Sequence, residues 1–303
     1  MNSLKDKYPH IGLARWCGLF GYSRQAYYQQ SWALQEKSLE EQIVLQAVQS
    51  IRQDQPRLGT RKLYVLLEAP LLAAGIKIGR DALFELLARQ GLLVRKRRRR
   101  APRTTDSRGW YKRFDNLAAG FEPGQANELW VSDITYVSLS SGFAYLSLVT
   151  DGYSRQVKGW DLSATLHLEG ALQALRQALN GAGLLPGLIH HSDRGSQYTS
   201  HEYVKLLQDY QIKISMTQTG DPRENAIAER VNGIIKNELL EEKTFPDLET
   251  ARRELQSKIL IYNQKRPHSS CQMLTPDQAA LRKGKLNKTW KKKQLKPNVL
   301  FSE

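Results

Sequence analysis

Three carboxylates in the second half of the chain stand at positions suited to catalytic acids. Asp133 lies inside the β-branched and aromatic run LWVSDITYVSL, Asp193 follows a short apolar run that ends in HHS, and Glu229 lies in a stretch of helical character. A buried strand rarely keeps a carboxylate unless that group is paired or binds a metal. The ends of strands in α/β sheets present ligand-binding groups. These three acids are therefore candidate metal ligands.

The helix that carries Glu229 offers a second acid, Glu224, near its start. At about 100° per residue, its apolar side chains share one face, which is formed by Ile227, Val231, Ile234 and Ile235. Glu229 falls on the opposite face, and the polar residues that lie near it there are Asn225, Asn232 and Lys236. Glu224 lies three residues after Asp221, the expected N-cap, as in a capping box. We therefore assign the catalytic role to Glu229 and the capping role to Glu224.

Three acids that converge on one place repel one another unless cations lie between them. Oxygen ligands without Cys or a required His select Mg²⁺ or Mn²⁺. Two such ions about 3.5–4 Å apart stabilise the attacking and leaving oxygens of a phosphoryl displacement. We therefore expect Asp133, Asp193 and Glu229 to hold Mg²⁺ or Mn²⁺, as two ions, for phosphodiester chemistry.

The composition favours nucleic acid as the partner. The 303 residues include 45 Lys and Arg against 30 Asp and Glu, which gives a formal net charge of +15. An excess of this size favours a polyanion over a merely solvated basic surface. The densest positive run consists of Arg95, Lys96, Arg97, Arg98, Arg99 and Arg100. We expect this run to bind DNA phosphates, and a solubilising tail is the alternative.

The elements around the three acids follow the order of a ribonuclease H fold. The pattern predicts strands at 129–139, 143–151, 156–162, 184–192 and 212–219 and helices at 168–183, 200–211 and 221–242. The order βββαβαβα predicts an α/β fold with an RNase H-like core, in which helices flank a mixed five-stranded sheet.

Helical patterns dominate the first hundred residues. Gly21 separates two helical runs, and Ser23 is the expected N-cap of the second, which is a minimal helix-turn-helix pattern. Plain helix packing is the alternative interpretation. The predicted organisation is a helical unit at 1–36, a helix-turn-helix DNA-binding domain at 37–100, a linker at 101–124, the catalytic core at 125–285 and a basic tail at 286–303.

Cysteine usage and hydropathy point to the cytoplasm. Cys17 and Cys271 are far apart and have no metal-like spacing, which indicates reduced thiols. No apolar run approaches the roughly 20 residues of a membrane span, and the first ten residues lack the apolar segment of a signal peptide. We expect a cytoplasmic protein without a membrane partner.

Four blocks carry a resemblance to a known family. In order, NELWVSDITYV, HHSDRGSQYTS, ENAIAERVNGIIKNE and YNQKRPHSSCQMLTP resemble the integrase core of insertion-sequence-3 family transposases, of the second-frame (OrfB) type. The thirty-five residues between Asp193 and Glu229 are similar to the spacing in DDE transposases and retroviral integrases. The resemblance covers roughly residues 10–285 and includes the helical FGYSRQAYY and PRLGTRKLYVLLE.

The resemblance implies an activity and a site. Asp133, Asp193 and Glu229 would be the catalytic triad, and Lys236 would contact DNA near the cleaved phosphate. The implied reaction is DNA cleavage and strand transfer at insertion-sequence ends, by a homo-oligomer on DNA that acts at the bacterial nucleoid. An upstream-frame (OrfA) product is the implied partner. Glu224 and Cys271 depart from the usual Asp and Leu of the family, and neither is a metal ligand.

Other functions compete with this interpretation. A nuclease of the same fold, such as a ribonuclease H or a junction resolvase, is disfavoured by the long basic helical region and the late glutamate. A retroviral integrase proper is disfavoured because no His-His-Cys-Cys zinc set precedes the core. A DNA-binding regulator of transposition without strand-transfer activity is the alternative from a different class.

Four further residues have open roles. His190 and His191 precede Asp193, and an ordinary strand position is favoured for them over contact with the substrate. Asp151 is expected to form a turn rather than to approach the metals. A DNA contact and a structural role are equally favoured for His268.

Overall fold

The computed structural model describes residues 7–95, 114–180, 183–219 and 221–287. The chain divides into two compact units. One comprises Met1–Ile51 and Leu66–Leu93, and the other comprises Arg52–Val65 and Val94–Glu303. Among the described residues, no helix is both long and apolar enough to cross a membrane. Cys17 and Cys271 are both buried free thiols.

The N-terminal region is helical, as the pattern predicts. Its helices are α1 (Leu13–Leu19), α2 (Arg24–Asp54), α3 (Thr60–Ala73) and α4 (Arg80–Arg89). Gly21 has a φ of +70° between α1 and α2, and Ser23 Oγ accepts the N–H of Ala26 at 3.0 Å, which confirms the predicted N-cap.

Helix α2 differs from the predicted division at residue 36. It runs for 31 residues without a break, because the sequence from 24 to 54 contains neither Gly nor Pro. Its first turns are largely exposed, whereas Val44 and Val48 are buried. An ion pair of 2.7 Å joins Glu41 to Arg89 of α4. The boundary between helical modules at 36 and 37 is therefore not a helix end.

The second unit contains the predicted mixed sheet. Its strands are β1 (Leu129–Leu139), β2 (Gly142–Asp151), β3 (Val157–Ser163), β4 (Ile189–Ser192) and β5 (Lys213–Met216). They lie in the order β3-β2-β1-β4-β5. The three strands of the meander pair antiparallel, whereas β4 pairs parallel with both β1 and β5. The predicted RNase H-like plan is therefore confirmed.

Helices cover both faces of this sheet. They are α5 (Leu168–Leu179), α6 (Ser196–Thr199), α7 (His201–Asp209), α8 (Ala226–Ile234), α9 (Leu248–Lys265) and α10 (Pro276–Ala280). Side chains of one face, such as Leu148, pack with α8 and α9. Those of the other face, such as Trp130 and Val149, pack with α5 and α7. This division follows the alternation of side chains along a strand.

Gly159 brings β3 against α5. A Cβ at this position would collide with the backbone carbonyl oxygen of Ala174 and with the backbone nitrogen of Ala178. Only a residue without a side chain therefore permits this approach.

The predicted helix at 221–242 has three conformations. A 3₁₀ turn spans Pro222–Asn225, α8 follows, and a π-helical turn spans Ile235–Leu239. The N–H of Leu240 reaches the carbonyl of Ile235 at 2.9 Å, which is the π-type hydrogen bond. The three helical segments thus follow one another without a break. The first is wound more tightly than an α-helix, and the last is wound more widely.

Other boundaries also differ from the pattern. Strand β4 begins at Ile189 rather than at 184, because Pro186 and Gly187, whose φ is +93°, form a turn before it. The C-terminal part of the expected linker packs with the core, since the N–H groups of Leu117 and Ala118 donate to Ser215 Oγ at 2.9 and 3.3 Å. Residues 96–113 and 288–303 lie outside the described residues.

Candidate active site

Asp133 lies where β1 extends past its neighbour β4. The parallel register pairs Val131 with His191. If this register is continued by two residues along each strand, Asp133 lies beside Asp193 at the carboxyl end of β4. The Asp133 side chain is partly buried. Its Oδ1 accepts the N–H of Ile134 and its Oδ2 accepts Nδ2 of Asn232, both at 2.9 Å.

Asp193 begins the turn that leads from β4 into α6. Its Oδ1 accepts the N–H of Gly195 at 2.9 Å, which holds the carboxylate in a local turn. The side chain is partly buried. Burial raises the pKa of Asp193, and the Gly195 N–H opposes this rise.

Glu229 lies on the first turn of α8, and its residue is exposed. Two asparagines on the same helical segment attach this helix to β1. Asn232 donates to Asp133, and Nδ2 of Asn225 donates to the carbonyl of Ser132 at 2.9 Å. Because Asn232 stands three residues after Glu229, the two side chains lie on neighbouring parts of the helix surface.

The acids act on one another electrostatically. The pKa of Asp133 is raised to about 7 by burial and, second, by the charge of Asp193, with a further contribution from Glu229. The hydrogen bonds from Asn232 and Ile134 oppose this rise. Asp133 therefore has two acidic neighbours whose charges favour its protonated form, and a cation would relieve this repulsion.

The donor set fits a hard cation. All three acids offer carboxylate oxygens, the ligands that Mg²⁺ and Mn²⁺ prefer. Within the described ranges, no three His, Cys, Asp or Glu side chains are gathered closely enough to form a metal-binding group as they stand. The structure thus brings the acids within electrostatic reach of one another, and coordination requires their side chains to close around an ion.

Glu224 has a different role from a standard capping box. Its carboxylate accepts the N–H groups of Gln218 and Thr219 at 2.7 and 3.0 Å, so it holds the preceding loop instead of the N-cap backbone. Asp221 caps the 3₁₀ turn by accepting the N–H of Arg223 at 2.9 Å. The charge of Glu229 contributes to the raised pKa of Asp133, and the assignment of the catalytic role to Glu229 stays a prediction.

The two histidines before Asp193 are buried. Nε2 of His190 lies 2.8 Å from Ser132 Oγ and 3.1 Å from the hydroxyl of Tyr203, and burial lowers the pKa of His190 to about 3. His191 lies between Ser215 Oγ and the carbonyl of Glu224, at 2.9 and 3.1 Å. Both are strand residues with internal partners, as expected.

Asp151 and His268 also have internal partners. Asp151 is fully buried at the end of β2 and accepts the N–H groups of Asn127 and Ser154, both at 2.7 Å, so it organises the turn as predicted. Nδ1 of His268 lies 2.7 Å from Ser270 Oγ. Burial and the charge of Arg266 lower the pKa of His268 to about 2, which places it in the interior rather than at an exposed DNA contact.

The predicted DNA-binding residues are only partly described. Nζ of Lys236 lies 3.3 Å from the ring centroid of Tyr136 on β1, a cation–π contact. The carbonyl of Arg95 accepts a hydrogen bond from Arg57 at 2.9 Å. The positions of Lys96, Arg97, Arg98, Arg99 and Arg100 lie outside the described residues.

A buried ion-pair network that the sequence pattern does not predict lies in the second unit. Glu238 in the π turn bonds Arg266 at 2.5 Å and Arg230 at 3.2 Å, and the Arg266 side chain is 1 % exposed. Burial would raise the pKa of Glu238, but the charges of Arg266 and Lys62 outweigh it and leave that pKa lowered. The nearest signal was the RPH motif at 266–268, whose arginine follows an apolar helix.

Comparison with known proteins identifies the family of the chain. Two models of the integrase core domain match residues 123–222 and 210–276. A 31 kDa protein of insertion element IS600 from Shigella sonnei is 33 % identical over 267 residues, covering 86 % of this chain and 95 % of that protein. The transposase InsF of insertion sequence IS3A from Escherichia coli is 33 % identical over 193 residues, covering 63 % of this chain and 67 % of InsF.

Among solved structures, the catalytic core domain of HTLV-2 integrase in complex with magnesium is similar, with a TM-score of 0.41 and 22 % identity over 52 % of this chain and 97 % of that one. The integrase-core matches and the shared sequence along almost the full length of the IS600 protein lead to one assignment. The chain belongs to the insertion-sequence-3 family of transposases, which carry an integrase catalytic core.

Proposed function

We propose that this transposase cleaves and joins DNA phosphodiesters at the ends of its insertion sequence, with Asp133, Asp193 and Glu229 as the ligands of two divalent ions. The observation that carries the proposal is the 2.9 Å hydrogen bond to Asp133 from Asn232, which lies on the same helix as Glu229. The charges of Asp193 and Glu229 contribute to the raised pKa of Asp133. Acids with perturbed pKa values that face like charges are typical of functional sites.

Each acid has its own support for this role. The hydrogen bonds from Asn232 and from the N–H of Ile134 orient the Asp133 carboxylate. The N–H of Gly195 orients Asp193. When bound, Mg²⁺ or Mn²⁺ would activate a water or a 3′-hydroxyl and stabilise the leaving oxygen. Exposure of Glu229 leaves the third acid accessible from solvent, where DNA arrives.

Positive charge holds the DNA in this proposal. Nζ of Lys236 lies over the ring of Tyr136, which is three residues after Asp133 on β1. An ammonium group at this place would contact a phosphate next to the reacting one. The run from Arg95 to Arg100 would bind the backbone without reading the base sequence. The net charge of +15 supplies the long-range attraction.

The proposed working form is a homo-oligomer, because joining both ends of an element requires two active sites on one DNA complex. An upstream-frame (OrfA) product is a further proposed partner, which would supply additional DNA-binding and oligomerising residues. The alternative function is a DNA-binding regulator without strand transfer. Among the described residues, no contact favours this regulator over the enzyme.

A strand-transfer assay tests the proposal. A labelled insertion-sequence end, target DNA and Mg²⁺ are incubated with the wild-type protein, with Asp193→Asn and with Asp209→Asn. Asp209 ends α7 and is exposed, so its substitution is a matched loss of one carboxylate. We expect joining by the wild type and by Asp209→Asn, and none by Asp193→Asn.

Three outcomes contradict the proposal in different ways. Joining by Asp193→Asn would exclude that residue as a ligand. DNA binding by the wild type without any joining would favour the regulator. Cleavage of RNA in RNA–DNA hybrids would favour a ribonuclease of the same fold.

A further inference from the structure

Ser215 on β5 determines the proton arrangement beside the proposed site. The residue is fully buried. Its Oγ accepts the N–H groups of Leu117 and Ala118 at 2.9 and 3.3 Å. A backbone N–H can only donate, so the single proton of the hydroxyl is left for its third neighbour, Nδ1 of His191 at 2.9 Å.

This arrangement defines the tautomer of His191. Because Nδ1 accepts the hydrogen bond of the Ser215 hydroxyl, the neutral ring carries its own proton on Nε2. That nitrogen lies 3.1 Å from the carbonyl oxygen of Glu224, which can only accept. The residue is 1 % exposed. His191 therefore has both ring nitrogens occupied, which leaves it without a nitrogen for a substrate or a transferable proton.

The same hydrogen bond joins two parts of the proposed site. His191 stands two residues before Asp193, and Glu224 stands five residues before Glu229. On the other side, Nδ2 of Asn225 donates to the carbonyl of Ser132, next to Asp133. The start of the helical segment that carries Glu229 is thus attached to both strands that carry the aspartates.

We propose that His191 is a positioning residue, whose Nε2–H sets the place of Glu229 relative to Asp193. The inference rests on the proposed function, since it assigns His191 to the assembly of that site. Ligand supports of this kind typically change metal affinity by about 10–100-fold when they are removed. His191 acts through the Glu224 carbonyl and touches neither DNA nor metal.

Two substitutions separate the hydrogen bonds of His191. The amide of Asn stands near the position of Nδ1, so His191→Asn keeps a partner for Ser215 but does not reach Glu224. The amide of Gln extends to the position of Nε2, so His191→Gln keeps a donor to the Glu224 carbonyl. If His191 only fills space, the two variants should have the same metal affinity and the same strand-transfer rate.

The first measurement is Mn²⁺ binding to the full-length, DNA-free protein, followed by the paramagnetic resonance of free Mn²⁺. We expect about tenfold or weaker affinity for His191→Asn and recovery of most of the loss in His191→Gln. Strand transfer should follow the same order, with a loss of about a hundredfold for His191→Asn. Wild-type Mn²⁺ affinity in His191→Asn, or equal losses in both variants, would overturn the proposal.

The second measurement reads the tautomer directly. Imidazole ¹⁵N resonances of the metal-free wild type, assigned by their absence in His191→Gln, should show protonation at Nε2 and a bare Nδ1. Protonation at Nδ1, or at both nitrogens near neutral pH, would overturn the proposal. This result does not depend on any transposition activity, so it separates failure of the His191 assignment from failure of the proposed function.

Discussion

Asp133 and Asp151 lie on neighbouring antiparallel strands, yet their carboxylates have opposite surroundings. Asp151 ends β2 and accepts four hydrogen bonds, from the N–H groups of Asn127, Tyr153 and Ser154 and from the hydroxyl of Ser154. Asp133 accepts two, from Asn232 and Ile134, and faces the charges of two other acids.

This contrast distinguishes a buried carboxylate that holds the backbone from one that is suited to bind a cation. A carboxylate whose oxygens are saturated by donors is stabilised in its charged form and holds the backbone in place. A carboxylate with few donors and like charges nearby is destabilised in the free protein, and a bound cation restores the balance. The charge of Asp151 is balanced by donors within the protein, whereas the acids around Asp133 need a cation to balance their repulsion.

The largest expected effect is the loss of catalysis in Asp133→Asn. Removal of one metal ligand should lower the strand-transfer rate by roughly a thousandfold or more, because several kcal/mol of transition-state stabilisation are lost. The unfolding free energy of the metal-free protein at pH 8 should not fall, because the substitution removes a repelled charge. Retained strand transfer by Asp133→Asn, or a clear fall in its unfolding free energy, would contradict a functional role for the Asp133 carboxylate.

Asp151→Asn should give the opposite result for stability. The new amide group has to face at least one backbone N–H, so the turn loses hydrogen bonds inside a fully buried site. We expect the unfolding free energy to fall by about 2–4 kcal/mol, measured by urea denaturation, with Asp209→Asn as the control. If Asp151→Asn has the same unfolding free energy as the wild type, the hydrogen bonds to the Asp151 carboxylate do not stabilise the turn.

Metal affinity should depend on pH at the acid cluster. The folded-state pKa of Asp133 is raised to about 7 from 3.8, so the free protein holds a proton below pH 7 that a metal has to displace. Mn²⁺ affinity should therefore fall by about tenfold between pH 8 and pH 6, since each pH unit below the pKa costs a factor of ten. Calorimetry at both pH values checks this, and an affinity that does not change with pH would exclude Asp133 as a ligand.

The smallest expected effect concerns Lys236, whose ammonium lies over the Tyr136 ring. Lys236→Gln should lower the slope of log DNA affinity against log salt by about one, because one phosphate contact is lost. Lys213→Gln, an exposed cation at the start of β5, is the matched substitution. An equal change in both variants would show that Lys236 contributes only through net charge.

Much of this fold follows from local patterns. The β-branched and aromatic run around Asp133 predicted β1 at 129–139, and the structure has the same bounds. Strong local preferences of this kind need no tertiary information. The predicted start of β4, at residue 184, lies five residues before the observed start. The apolar run before Ile189 contains Pro186 and Gly187, which form a turn.

Candidate acids could be chosen from the sequence, but the contacts that join them could not be predicted from it. Helical periodicity placed Asn232 near Glu229 on one helix face. The hydrogen bond from Asn232 to Asp133 joins residues 99 positions apart, and its formation depends on how α8 packs on the sheet. Likewise, the parallel register of β1 and β4 brings Asp133 beside Asp193. Such long-range pairings are tertiary properties that no local pattern contains.

The decisive measurement is a structure of the full-length protein with Mn²⁺ and an insertion-sequence end, because anomalous scattering locates each ion. We expect ions bound between the carboxylates of Asp133, Asp193 and Glu229, next to the reacting phosphate. Ions bound elsewhere, or three acids that stay apart in the presence of DNA and metal, would contradict this expectation.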